Sequence, residues 1–154
     1  MERAIFAAGC FWGVEAAFRQ LEGVAEAYCG YCGGHVEQPD YRQVCQGNTG
    51  HAEAVEVHYD PNTISYDALL QAFWHMHDPT QLNRQGPDVG TQYRSAIFPL
   101  NDVQKQQAVD AKAKQSAALG VPLATTIEPH DAFWKAEDYH QRYFEKNGAA
   151  ACHI

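Results

Sequence analysis

The chain has 154 residues and carries 11 Lys and Arg against 19 Asp and Glu, a formal charge of −8. At roughly 100–200 residues per domain this is a single domain, expected to span 1–154, and it is long enough to fold without a metal or disulfide staple. With 45% apolar and 19% charged residues it is neither disordered nor fibrous, and its acidic balance argues against nucleic acid or an anionic membrane as partner. No apolar run approaches the ~20 residues of a membrane span. Five cysteines is an odd count. Secreted domains of this size pair theirs evenly, so reduced thiols in the cytoplasm are expected.

The elements read in chain order. Ala4 to Ala8 is short and apolar throughout, a buried strand. Val14, Ala17, Phe18 and Leu21 repeat at helical spacing, and Gly23 stops that helix. Val24 to Tyr31 reads as a strand ended by Gly33-Gly34, and a loop follows to Thr49. Glu53 to Tyr59 alternates as a strand, turned by Asp60-Pro61. Ser65 is placed to cap a helix with Leu69, Leu70, Phe73 and Trp74 inward, ended by Asp78-Pro79. Pro79 to Gln92 is a long polar loop, and such loops inside a compact domain are usually functional. Tyr93 to Phe98 is predicted as a strand. Asn101 can cap a helix to Leu119, with Gly120 and Pro122 beyond it. Ala124 to Ile127 is then a strand, and Phe133 to Asn147 is predicted to be helical. The order β-α-β-β-α-β, then α-β-α, is the α+β, ferredoxin-like split-βαβ pattern: a mostly antiparallel sheet with helices packed on it. A C-terminal helix and a mobile tail from about 148 complete the expectation.

Five groups of residues could carry chemistry. Cys10, in Gly9-Cys10-Phe11-Trp12-Gly13, sits where a strand gives way to a helix. There the amides and dipole of a helix N-terminus stabilise a thiolate, and Phe11 and Trp12 can wall an apolar pocket. The other reading is a buried core thiol. Glu53 opens an apolar strand; a carboxyl in such surroundings holds its proton to higher pH and can act as a general acid, whereas at a solvated strand end it would be ordinary. One His (His51) beside one Glu makes too few ligands for a metal. The loop from Asn83 to Arg94 gathers amides, Asp88, Tyr93 and two guanidiniums, suited to an oxygen-rich group or simply to solvent. Cys29-Gly30-Tyr31-Cys32 has redox-motif spacing, but it ends a strand where thioredoxin-like chemistry needs a helix. A zinc knuckle of Cys29, Cys32, His35 and Cys45 fits no common spacing. Cys152 lies on a tail of small residues with reach toward a second thiol. His75, His77 and the Tyr139-His140 pair read as packing.

The chain resembles A-type peptide methionine sulfoxide reductases. The matching stretches are GCFWG (9–13), GYxGG (30–34), YRQVCQGNTGHAE (41–53), HDPTQLNRQGPDVGTQYRS (77–95) and AEDYHQ (136–141). The resemblance implies reduction of the S epimer of free or protein-bound methionine sulfoxide, with Cys10 as nucleophile and Glu53 as acid. It further implies that Tyr41 and Tyr93 hold the sulfoxide oxygen, that Asp88 is the site carboxylate, that Phe11 and Trp12 receive the substrate methyl, and that Cys152 is the resolving thiol. No metal or flavin is implied, only an external dithiol such as thioredoxin, and the enzyme is expected to be a monomer. The tail differs from the family's KNPxGYC in lacking Pro and Tyr, and Cys29 and Cys32 stand where cysteine is unusual. The competing functions are a thiol-disulfide oxidoreductase using Cys29 and Cys32, and a zinc-bound structural module.

Overall fold

A computed structural model describes residues 1–129 and 132–147; Cys152 and the tail from 148 lie outside the described residues. Among those described, the strands are β1 (Glu2–Ala8), β2 (Val24–Cys32), β3 (Ala52–Tyr59), β4 (Arg84–Gln85), β5 (Asp88–Val89), β6 (Ser95–Phe98), β7 (Thr126–Ile127) and β8 (Phe133–Lys135). The helices are α1 (Phe11–Arg19), α2 (Tyr41–Cys45), α3 (Tyr66–His75), α4 (Asp102–Leu119) and α5 (Tyr143–Asn147). Six strands make one sheet in the order β7-β6-β1-β3-β2-β8. β3 lies between β1 and β2 and is antiparallel to both, and β6 is antiparallel to β1. This is the split-βαβ core read from the sequence, and β7 on β6 is its parallel edge.

Alternation along the strands divides the core. Ala4, Phe6 and Ala8 of β1 enter the larger cluster with Val55, Val57, Cys29 and Tyr31, under α1, α3 and α4. Ile5 and Ala7 point to the opposite face, with Ala52, Ala54, Cys32 and Phe98. Phe6 sits centrally on the helical side, its ring centroid 5.1 Å from Phe18 and 5.3 Å from Phe73. The expected caps are present: Ser65 Oγ accepts the Ala68 N–H, Asn101 Oδ1 accepts the Gln104 N–H, and Gly120 closes α4 in the left-handed region at φ 72°. Among the described residues, no helix is long and apolar enough to cross a membrane.

Three sequence expectations are corrected. Phe133 to Asn147 is not one helix: Phe133–Lys135 pairs with β2 as an edge strand, a 3-10 turn follows at Asp138–His140, and α5 begins only at Tyr143. Gly30 makes the edge pairing possible, since a Cβ there would lie 2.3 Å from Phe133 Cζ. Arg142, in the left-handed region at φ 54°, interrupts any longer helix. Tyr93 ends a 3-10 turn, Thr91–Tyr93, and β6 starts at Ser95. The loop expected to run to Thr49 contains α2, whose Asp40 and Gln43 form a reciprocal capping box.

A buried polar chain ties the end of α3 to the sheet edge. His77 Nδ1–H donates to the Phe73 carbonyl at 2.7 Å, leaving Nε2 to accept from Ser95 Oγ, which in turn pairs with Thr125 Oγ1. Burial holds the imidazole neutral and pulls its pKa down to about 4. Between the ordinary histidine value and 4 the unfolded chain takes up a proton that the fold refuses. His77 therefore contributes stability above about pH 6.5 that is lost as pH falls toward 4, on the order of 3 kcal/mol in full. Other groups titrate in the same range, so the test is a difference. The stability advantage of the wild type over His77→Gln, from urea unfolding, should shrink between pH 7 and pH 5. An advantage that does not vary with pH would refute this account.

Candidate active site

β1 ends at Ala8, Gly9 turns the chain with φ 96°, and Cys10 occupies the N-cap position of α1. Its thiol is thus held at a helix N-terminus, the setting that favours a thiolate. The first amide of the helix is taken by a carboxyl from the sheet: Phe11 N–H donates to Glu53 Oε1 at 3.2 Å. Glu53 is the second residue of β3, on the helical side, and only 1% exposed. Its other oxygen, Oε2, is buried without a hydrogen-bond partner. Burial first, then the neighbouring Cys10, and Asp88 beyond it, push the Glu53 carboxyl far above the ordinary carboxylate range, against the pull of the Phe11 amide. A neutral acid at Oε2 beside a helix-capping thiol is an arrangement for giving a proton to an oxygen while sulfur attacks.

The remaining expected side chains gather here. Tyr41, first residue of α2, and Tyr93 are half-buried, and burial above all holds their phenols in the protonated form. Tyr93 also interacts electrostatically with Asp88 and Cys10. Phe11 is buried at 1% exposure, with ring contacts to Tyr31, Tyr41 and His140. Trp12 is half-buried; its ring stacks on Tyr143 at 3.8 Å and its Nε1–H donates to His140 Nδ1 at 2.9 Å. Phe11 therefore backs the aromatic wall and Trp12 fronts it. Cys152 lies outside the described residues.

The C-terminal segment supplies residues whose part in the site the sequence reading did not identify. His140, taken there as packing, is fully buried against Phe11, Trp12 and Tyr41, so it does pack, but at the site. Glu137 accepts hydrogen bonds from the Tyr31 hydroxyl and the Tyr41 amide. The signal available was the AEDYHQ stretch itself, which a helical reading assigned to packing.

The competing readings of the cysteines fail on geometry. Cys29 and Cys32 are three apart on β2 and face opposite sides of the sheet, in separate clusters. While the strand is intact they cannot pair with each other or share a metal ion. Cys29 is buried, its Sγ–H donates to the Phe11 carbonyl, and burial pushes its thiol well up. Cys45 is exposed on α2. Among the described residues no three His, Cys, Asp or Glu side chains gather to hold a metal ion.

The β4–β5 hairpin that carries Asp88 rests directly on Gly9. A Cβ at Gly9 would lie 2.9 Å from Gln85 Cβ and Cγ, and Gln85 is fixed by two hydrogen bonds to the Asp78 backbone. Gly9→Ala should cost about 1–2 kcal/mol from the left-handed backbone alone and displace the hairpin, lowering activity as well as stability. Unchanged turnover with a lowered unfolding midpoint would show that the hairpin's position is not critical.

The family model for peptide methionine sulfoxide reductase matches residues 2–154. "Peptide methionine sulfoxide reductase MsrA" of Methanoculleus marisnigri is 56% identical over 154 residues, covering 99% of this chain and 94% of its own. The reduced form of Mxr1 from Saccharomyces cerevisiae superposes with a TM-score of 0.91 at 36% identity, covering 96% of this chain and 86% of its own. Mxr1 in complex with Trx2 matches with a TM-score of 0.67 at 26% identity, covering 92% and 84%. With a thiol at the N-cap position of α1, the buried acid and this match along the whole chain, the protein belongs to the A-type peptide methionine sulfoxide reductase family.

Proposed function

We propose that Cys10 is the nucleophile and Glu53 the proton donor in the reduction of methionine S-sulfoxide, free or within proteins. The observation that carries this reading is Glu53 Oε2, buried and without a partner beside the α1 N-terminus, on a carboxyl that burial pushes well above its usual range. A sulfoxide sulfur is a poor electrophile until its oxygen is protonated. Glu53 gives that proton, with Tyr41 and Tyr93 donating hydrogen bonds to the same oxygen and Asp88 as a further carboxylate at the site. The Cys10 thiolate bonds to sulfur and the protonated oxygen is displaced from it as water. Water then attacks the Cys10 sulfur, the bond between the two sulfurs breaks, methionine leaves with the bonding electrons, and Cys10 is left as a sulfenic acid with a proton returned to the site. The substrate methyl lies against Trp12, backed by Phe11. Three substituents of the chiral sulfur are thereby fixed, and the R epimer would set its oxygen against the aromatic wall, unpaired.

Cys152 condenses with the sulfenic acid, forming a disulfide and releasing water. A thioredoxin-like dithiol reduces that disulfide and takes its two electrons' worth of oxidation. Mxr1 in complex with Trx2 supports such a partner by similarity. The electrons come from thiols throughout, so the scheme calls for no metal or flavin. A monomeric, single-domain enzyme in a reducing cytoplasm fits this chemistry.

Glu53→Gln keeps a hydrogen-bond donor but loses the transferable proton, and its rate should fall by roughly 10²–10⁴. A wild-type rate would remove Glu53 from the mechanism. The resolving step is tested separately. Cys152→Ser should release one methionine per enzyme, stop at the sulfenic acid and lose turnover with thioredoxin, whereas peptide mapping of the oxidised wild type should find Cys10 linked to Cys152. A dominant Cys10–Cys29 linkage would reassign the resolving thiol.

A further inference from the structure

The AEDYHQ stretch contains a carboxylate that the scheme above does not use. Glu137 Oε1 accepts the Tyr31 hydroxyl at 2.9 Å, and Oε2 accepts the Tyr41 backbone N–H at 3.0 Å. The Tyr139 hydroxyl approaches Oε2 at 3.5 Å. One side chain therefore joins β2, the first residue of α2 and the 3-10 turn at Asp138–His140. Partial burial works against the charge, but the Tyr41 amide and the Tyr31 hydroxyl outweigh it and keep the carboxyl below its usual range. At neutral pH Glu137 is a carboxylate.

Its two firm partners are both linked to the site. Tyr31 pairs with Glu53 across β2 and β3, and its ring meets Phe11 at 5.7 Å. The Tyr41 ring meets His140 at 4.4 Å and Phe11 at 6.3 Å. α2 has few anchors of its own: it is five residues long and buries a single residue, Val44. Its capping box satisfies the Gln43 amide and leaves the Tyr41 amide to Glu137. A charge-assisted bond at that amide fixes the backbone from which the Tyr41 ring projects, while its ring contacts and a hydrogen bond with the Cys45 side chain act at the other end.

We propose that Glu137 is a positioning residue of the reductase: it touches no reacting atom, and through the Tyr41 amide it holds the Tyr41 hydroxyl in place for the sulfoxide oxygen. The proposal rests on the role given to Tyr41 above.

The test is a double-mutant cycle read as kcat/KM on methionine S-sulfoxide. Glu137→Ala should lose about tenfold in the wild-type background and within about twofold in the Tyr41→Phe background, because its effect passes through a hydroxyl already removed. Glu137→Gln keeps one acceptor oxygen in an isosteric side chain and should recover most of the loss. Glu137→Met, which keeps the volume and loses both acceptor oxygens, runs the same cycle if the alanine variant does not fold. An equal loss in both backgrounds would overturn the proposal, leaving Glu137 a structural residue. Wild-type kcat/KM in Glu137→Ala would also overturn it. A Tyr41→Phe enzyme with wild-type kcat/KM would remove Tyr41 from the reaction and this proposal with it. The assignments of Cys10 and Glu53 would stand or fall separately on Glu53→Gln.

Discussion

The bond from the Phe11 amide to Glu53 Oε1 is the constraint from which the site follows. It fastens the N-terminus of α1 to the middle of the sheet, so that the residue before the helix, Cys10, cannot move relative to the acid. It satisfies one carboxyl oxygen and leaves the other buried and unpartnered. A second donor on Oε2 would lower the acid's proton affinity and occupy the oxygen that delivers the proton in the proposed reaction. An unpaired buried polar atom costs roughly 1–3 kcal/mol. In the proposed reaction a substrate oxygen would cancel that cost.

Holding this pair requires the rest of the fold. The register of β3 between β1 and β2 puts Val55 opposite Phe6 on one side and Glu53 opposite Tyr31 on the other. The same alternation that buries Val55 and Val57 turns Glu53 toward α1. The hairpin closes from the far side because Gly9 presents no side chain to Gln85. The C-terminal segment closes the aromatic side by backbone recognition. Gln141 accepts from the Cys29 N–H and donates to the Cys29 carbonyl, continuing the edge of β2 with a side-chain amide. Glu15 of α1, itself 1% exposed, takes the Arg142 N–H on both carboxyl oxygens. His140 and Tyr143 are carried to Trp12 by these two anchors.

What was legible in the sequence was what periodicity and local chemistry encode. The strand ending at Ala8, the α1 stripe of Val14 and Phe18, the caps at Ser65 and Asn101, and Glu53 at the head of an apolar strand are all local patterns, and each is in place. The misread segment, Phe133 to Asn147, takes its structure from distant partners: β8 exists because Gly30 on another strand leaves room for Phe133, and the chain turns at Arg142 because Glu15 takes its amide. Neither partner lies within a hundred positions of the residue it directs. The short α2 was encoded locally, by Asp40 and Gln43, but a single helical turn with one buried residue leaves almost no periodic trace. The roles of the site side chains came from resemblance. The residues alone left Cys10 open between a nucleophile and a core thiol, and they could not reveal that Cys29 and Cys32, for all their spacing, look away from each other.

The proposed chemistry places opposing demands on the cleft. The first step wants a dry environment, because water around Glu53 would restore its ordinary acidity and hydrate the oxygen it must protonate. The second step wants access, because the sulfenic acid left on Cys10 has to be reached by another thiol. A fixed thiol such as Cys29 would meet the second demand poorly: buried under the Phe11 carbonyl and strongly disfavoured as a thiolate, it is a weak attacking group. Placing the two proposed thiols on separate stretches of the chain meets both demands. The proposed nucleophile is built into a helix N-cap and the proposed acid into a strand, whereas the proposed resolving thiol lies in sequence beyond the last described element. The described part of the protein then needs to be right for a sulfoxide only, and the demands of disulfide geometry, with Cα atoms within about 7 Å, fall on a separate stretch of sequence.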